Sequence, residues 1–111
     1  MATTRPYTTS TLQAAKLLGQ QIRLARKKRR LSETELAKRA SIARSTLQKI
    51  EKGDPSINIG LSFEAASVVG VPLFDSDTPD YLIEHNQIVS EKLALLSHKP
   101  GRSKRDLEDN F

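Results

Sequence analysis

The chain is predicted to be all-α: a small helical domain, one further helix and charged ends. Three observations predict it. Apolar residues recur three and four apart, as in Ala15, Leu18, Ile22 and Ala25 and again in Val89, Leu93 and Leu96. Helix starts and stops are written in the right order, with Ser32 and Glu35 spaced as a capping box and Gly53-Asp-Pro55 and Gly70-Val-Pro72 as stops. The 111 residues suffice for one small domain with tails.

The elements follow in chain order. Residues 1–10 are Thr-rich and read as a flexible arm. Ser10 and Gln13 make a possible capping box, and a helix is expected from about Thr11 to Arg29. Lys16, Arg23, Lys27 and Arg30 lie off its apolar stripe. The basic run from Arg26 to Arg30 closes the helix, where cations suit the macrodipole. That run is equally readable as a set of phosphate contacts or as a solvated helix end, and a nuclear localisation signal is a third reading.

A second helix starts at the Ser32 cap, with Leu36, Ala37 and Ala40 on one small-residue face. Ser41 and Ile42 supply a tight turn, with Ile42 directed at the core. A third helix is expected from about Ala43 to Lys52. Leu47, Ile50 and Glu51 share one side of it, and Ser45, Gln48, Lys49 and Lys52 share the other, with Arg44 in the first turn. Asp54-Pro55-Ser56 is a loop, because Pro55 disfavours the helical region at Asp54. Helix four is expected from Asn58 or Gly60 to Val69. It is apolar all round, which implies burial on two sides, by the core and by a second subunit. Pro72, Leu73 and Phe74 are expected to open a short helix or turn. The domain so defined is residues 11–74. Residues 75–97 comprise an acidic linker and a last helix from about Tyr81 to Ser97. Residues 98–111 read as a charged, flexible tail, equally readable as an inert solubilising segment or as one that folds on a partner with Leu107 and Phe111 as apolar anchors.

Charge divides the chain. Residues 1–56 hold 13 Lys/Arg against 4 Asp/Glu, and residues 57–111 hold 5 against 9. The first half is suited to nucleic acid and the second to protein contacts. The absence of Cys excludes disulfides and thiolate metal sites and suits a reducing cytosol. No leader and no membrane span are expected, since the longest nearly apolar run, Val68 to Phe74, is short. With no Trp and few aromatics, base stacking on single strands is disfavoured. His85 and His98 are isolated and read as surface residues. No catalytic constellation or cofactor motif is present, so neither enzymatic activity nor a cofactor is expected.

The pattern Leu31-Ser32-x-x-x-Leu36-Ala37, then Ile42, then Ser45-Thr46-Leu47-x-x-Ile50-Glu51-x-Gly53 resembles the helix-turn-helix of Cro/cI-type (XRE) DNA-binding regulators. The resemblance implies a five-helix Cro/cI repressor-like domain, here with an extra C-terminal helix. It implies a recognition helix in the major groove of double-stranded DNA. Arg44, Ser45, Gln48 and Lys49 then become base-reading candidates, since Arg suits guanine and Gln suits adenine. Lys38, Thr46, Lys52, Lys27 and Arg30 become phosphate candidates. Arg26 and Glu51 occupy the positions of the family's structural ion pair. Three positions depart from the pattern. Glu33 stands where Gln often meets the DNA backbone. Ser41 stands where Gly is usual, and positive φ there would strain Ser by roughly 1 kcal/mol. Ala43 stands where a Ser or Thr cap is common.

A finer resemblance, over Gly53–Phe74 and the ending Leu93-Ala-Leu-Leu96 to Asp109-Asn-Phe111, points to the HipB-like subgroup. It implies a homodimeric, autoregulating bacterial antitoxin that works in the cytoplasm at the nucleoid and binds a HipA-like kinase toxin. A restriction-modification controller, or a general regulator with no toxin partner, shares the fold.

Overall fold

A computed structural model describes residues 5–97. The described residues form five helices and no strand. They are α1 (Thr9–Lys28), α2 (Glu33–Arg39), α3 (Arg44–Glu51), α4 (Ile59–Val69) and α5 (Pro79–Ser97). The chain divides into two units, Met1–Asp75 and Ser76–Phe111.

In the first unit α1 packs on α3 and α4, and α2 packs on the same two helices. Ile22, Leu36, Ala37, Leu47, Ile50, Ala65, Ala66, Val69 and Val71 make the core, flanked by Leu18, Ala25, Ile42, Ile57, Val68 and Leu73. The 3–4 stripe of α1 thus faces inward. So does Gly19, which the stripe alone does not single out. A Cβ there would overlap the Ile50 carbonyl oxygen and stand 2.8 Å from that of Glu51. The missing side chain lets α1 lie directly on the end of α3.

Each of the first four helices ends in the same double hydrogen bond. The N–H groups of Arg30, Ser41, Gly53 and Gly70 donate to carbonyls three residues back. Those of Leu31, Ile42, Asp54 and Val71 donate five back, to Arg26, Ala37, Lys49 and Ala66. This Schellman closure needs a left-handed residue. Gly53 and Gly70 supply it freely at φ 87° and 76°. Ser41 and Arg30 adopt it as L-residues, at φ 57° and 56°.

Several sequence expectations shift. Helix α1 starts at Thr9, because Thr8 rather than Ser10 is the cap and accepts from the Thr11 N–H at 3.2 Å. It ends at Lys28, so Arg30 belongs to the left-handed turn. Among the described residues α4 is buried on one face, through Ala65, Ala66 and Val69, while Ile59, Leu61 and Phe63 are exposed. Leu73 and Phe74 lie in a bend and Pro72 precedes it, so no helix opens there. Val71 still reaches the core, and Leu73 packs against it.

In the second unit α5 begins at Pro79, a proline at the first helical position being pre-set for a helix. Thr78 Oγ accepts from the Tyr81 N–H at 3.3 Å. Tyr81 and His85 stack with ring centroids 4.0 Å apart. No residue of α5 is buried, and Ile83, Val89, Leu93, Leu95 and Leu96 are exposed. His98, Leu107 and Phe111 lie outside the described residues, as does the expected tail, 98–111.

Candidate nucleic-acid interface

The site is the outer side of α2 and α3. Helix α2 starts with a complete capping box. Ser32 Oγ accepts from the Glu35 N–H at 3.0 Å, and the Glu35 carboxylate accepts from the Ser32 N–H at 2.8 Å. Helix α3 starts at Ala43 with no side-chain cap, so its first N–H groups have no side-chain acceptor.

The inner side of α3 is fixed by burial and by one ion pair. Leu47 and Ile50 are buried. Glu51 takes two parallel bonds from Arg26, Nε at 2.7 Å and Nη2 at 3.0 Å. Arg26 Nη1 also donates to the Leu31 carbonyl at 3.0 Å. Side-chain exposures are 8% for Arg26 and 4% for Glu51. The hydrogen bond to Glu51 holds the Arg26 guanidinium above even the ordinary arginine range, against the opposing effect of burial. Arg26 is therefore a tie between α1 and the end of α3, turned away from the basic surface.

The outer side carries the candidates. Arg44, Ser45, Lys49 and Lys52 are exposed, and Thr46 and Gln48 are half-buried. Lys38, Lys27 and Arg30 are exposed too, on α2 and at the end of α1. One residue of this surface is acidic. Glu33, the first residue of α2, accepts from Gln48 Nε2 at 3.0 Å and from Arg44 Nε at 3.2 Å, both on Oε1. Arg44 Nη2 is 3.2 Å from the same oxygen. The Gln48 bond, then the Arg44 contacts, hold the Glu33 carboxyl below the ordinary carboxylate range. A carboxylate that reads in sequence as a liability toward phosphate is thus the acceptor for two base-reading candidates.

Arg23 was not among the phosphate candidates. It lines a hollow of about 240 Å³ with Glu33, Gln48, Glu51 and Lys52. The signal was present: Arg23 is one turn before Arg26, and Lys52 follows the Glu51 that Arg26 grips.

A cationic outer face on the short helix α3, locked to its neighbours through its inner face, defines a helix-turn-helix DNA-binding protein. Residues 22–75 match the family model described as Helix-turn-helix, which covers α2, α3, α4 and the last third of α1. They form a Cro/cI-type domain, and the chain is a DNA-binding transcriptional regulator. No curated protein and no solved structure matches it. No helix among the described residues is long and apolar enough to cross a membrane, and none of those residues cluster as a metal site.

Proposed function

We propose that the protein is a sequence-specific repressor that binds a palindromic operator as a homodimer. The observation that carries this is the exposure of Arg44, Ser45 and Lys49 on a recognition helix whose inner face is locked by Leu47, Ile50 and Glu51. Arg44, Ser45, Gln48 and Lys49 read base edges, while Lys38, Thr46, Lys52, Lys27 and Arg30 hold phosphates. One eight-residue helix reads only a few base pairs. Two copies spaced by one turn of DNA, roughly 34 Å, give useful specificity. The exposed Leu61, Phe63 and Phe74 are suited to the twofold contact.

The experiment is binding of the full chain to DNA from upstream of its own gene, against a shuffled duplex, across a salt series. Preference for the native fragment with a steep salt slope supports an autoregulating repressor. Equal weak binding to both refutes it. Arg44→Ala should lose about 1–3 kcal/mol at one base pair only, and a uniform loss on every sequence would make Arg44 a phosphate ligand.

The finer reading is an antitoxin of the bacterial cytoplasm that neutralises a HipA-like kinase toxin. It rests on the resemblance of Gly53–Phe74 and of the chain's ending, where Leu107 and Phe111 are the proposed anchors. Removal of residues 98–111 should then spare operator binding and abolish toxin capture. A restriction-modification controller or a general regulator predicts no toxin capture by either form.

A further inference from the structure

Glu33 engages particular edges of the two side chains it holds. An arginine presents five N–H donors along two edges. Glu33 Oε1 takes the side edge of Arg44, with Nε and Nη2 each at 3.2 Å. The end edge, formed by Nη1 and the outer hydrogen of Nη2, is the one that matches guanine O6 and N7. Gln48 is treated the same way. Its Nε2 gives one hydrogen to Glu33 at 3.0 Å. The second hydrogen and Oε1 keep the pattern that pairs with adenine N7 and N6. Arg44 is 61% exposed in its side chain and Glu33 is 30% exposed. The pair therefore stands on the surface with its outer edge free to meet a groove. The Ser32 capping box fixes the backbone of the first turn of α2, from which Glu33 projects.

We infer that Glu33 is a specificity-determining positioning residue, which aims Arg44 and Gln48 at base edges and makes indiscriminate phosphate binding unfavourable. This rests on the DNA-reading role of Arg44 and Gln48 proposed above. A guanidinium held by a carboxylate is a poor phosphate ligand. To follow a phosphate, Arg44 must leave Glu33 unpaired beside the polyanion. To meet a guanine it keeps Glu33 and adds the base, so only the matching sequence satisfies all three groups. Removing the carboxylate then tightens binding to all DNA while blunting the choice among sequences.

The test is selection from a randomised duplex library with the full-length protein and its Glu33→Ala, Glu33→Gln, Arg44→Ala and Gln48→Ala variants. Titration on the selected and on scrambled duplexes follows, with thermal midpoints measured alongside. In Glu33→Ala, preference at the positions that Arg44→Ala and Gln48→Ala also lose should fall about tenfold. Affinity for scrambled DNA should rise, and the midpoint should fall by no more than the small loss of one exposed ion pair. Glu33→Gln, which keeps an acceptor of the same reach, should retain more of the preference. An unchanged preference in Glu33→Ala overturns the inference and leaves the DNA-reading role standing. A fall in affinity for all DNA together with a lower midpoint overturns it too, by making Glu33 merely structural. A wild-type protein that selects no sequence refutes the reading role itself, and the inference with it.

Discussion

The Arg26–Glu51 pair gives the most demanding test of the packing. Arg26→Met leaves the Glu51 carboxylate, 4% exposed, without its cation, and leaves the Leu31 carbonyl without its donor. Glu51→Leu strands a guanidinium that is 8% exposed. Each single change should cost about 3–5 kcal/mol, because a buried charge is left uncompensated. A domain of this size is stable by only some 5–10 kcal/mol, so either variant should lose roughly a third or more of its stability. The double variant removes both charges and fills the space with apolar groups of similar volume. Such swaps are often neutral or stabilising, and the residual cost is the Leu31 carbonyl, about 1–3 kcal/mol if no water reaches it. The two single costs would sum to about 6–10 kcal/mol, so the coupling should reach several kcal/mol. Urea unfolding followed by circular dichroism measures all four states. Single variants costing less than about 1 kcal/mol, or costs that simply add, would refute the claim that this pair ties α1 to α3.

Gly19→Ala places a methyl group against the Ile50 and Glu51 carbonyls and should destabilise by about 3 kcal/mol in the same assay. Ser41→Gly relieves a left-handed serine, worth roughly 1–2 kcal/mol, against a glycine entropy cost of about 0.4–1. The net gain of about 0.5–1 kcal/mol should raise the thermal midpoint by several degrees, and no rise would exclude strain at that turn. Glu33, Glu35 and Asp54 are all held below the ordinary carboxylate range. Glu33 is held by the Gln48 bond, Glu35 by the Ser32 N–H, and Asp54 by the Ser56 hydroxyl. The unfolded chain therefore takes up protons before the native state does. The stability from these groups is intact above the ordinary carboxylate value of about 4.3 and is lost as pH falls below it toward their lowered values. A midpoint that already declines from neutral pH downward would assign the effect to some other group.

How far the fold was legible depends on whether a signal is local. The Ser32–Glu35 box, the Gly70 stop and the uncapped start at Ala43 are each decided within four residues, and the structure has all of them. At the α1 start Ser10 and Gln13 have the spacing of a capping box, but the cap is Thr8. Thr8 wins and adds a half turn of helix. Arg30 gave no local signal for a left-handed backbone, since arginine at the end of a helix is expected for its charge. The turn into Leu31 requires that conformation nonetheless. Gly19 carried an indirect signal, because a mid-helix glycine costs about 1 kcal/mol and so implies a packing reason. Its reason lies 31 residues away on α3, where no local rule reaches. The all-apolar character of α4 was read as burial on two sides, yet hydrophobicity alone does not say what covers the second side. Glu33 was the least legible. Its partners follow 11 and 15 residues later, across a turn, so only the assembled helices turn a misplaced acid into an acceptor.

Helix α3 binds stability and recognition together. Eight residues span about 12 Å and would not hold a helix alone in water. Its existence therefore depends on the contacts of its inner face, namely Leu47, Ile50, Glu51 and the carbonyl end pressed on Gly19. Those contacts fix rotation as well as position. Successive residues turn by about 100°, so a helix anchored at Leu47, Ile50 and Glu51 points Ser45 away from the core and sets Arg44 and Gln48 along the edge that meets Glu33. Loosening the anchor by even part of a turn would carry Arg44 off Glu33 and blur what the outer face reads. It follows that substitutions at Gly19, Arg26 or Glu51, which touch no DNA, should degrade sequence choice before the domain unfolds. The buried tie does more for this protein than its net contribution to stability suggests. An apolar replacement can restore the stability, but it lacks the bidentate geometry that sets the angle of the helix.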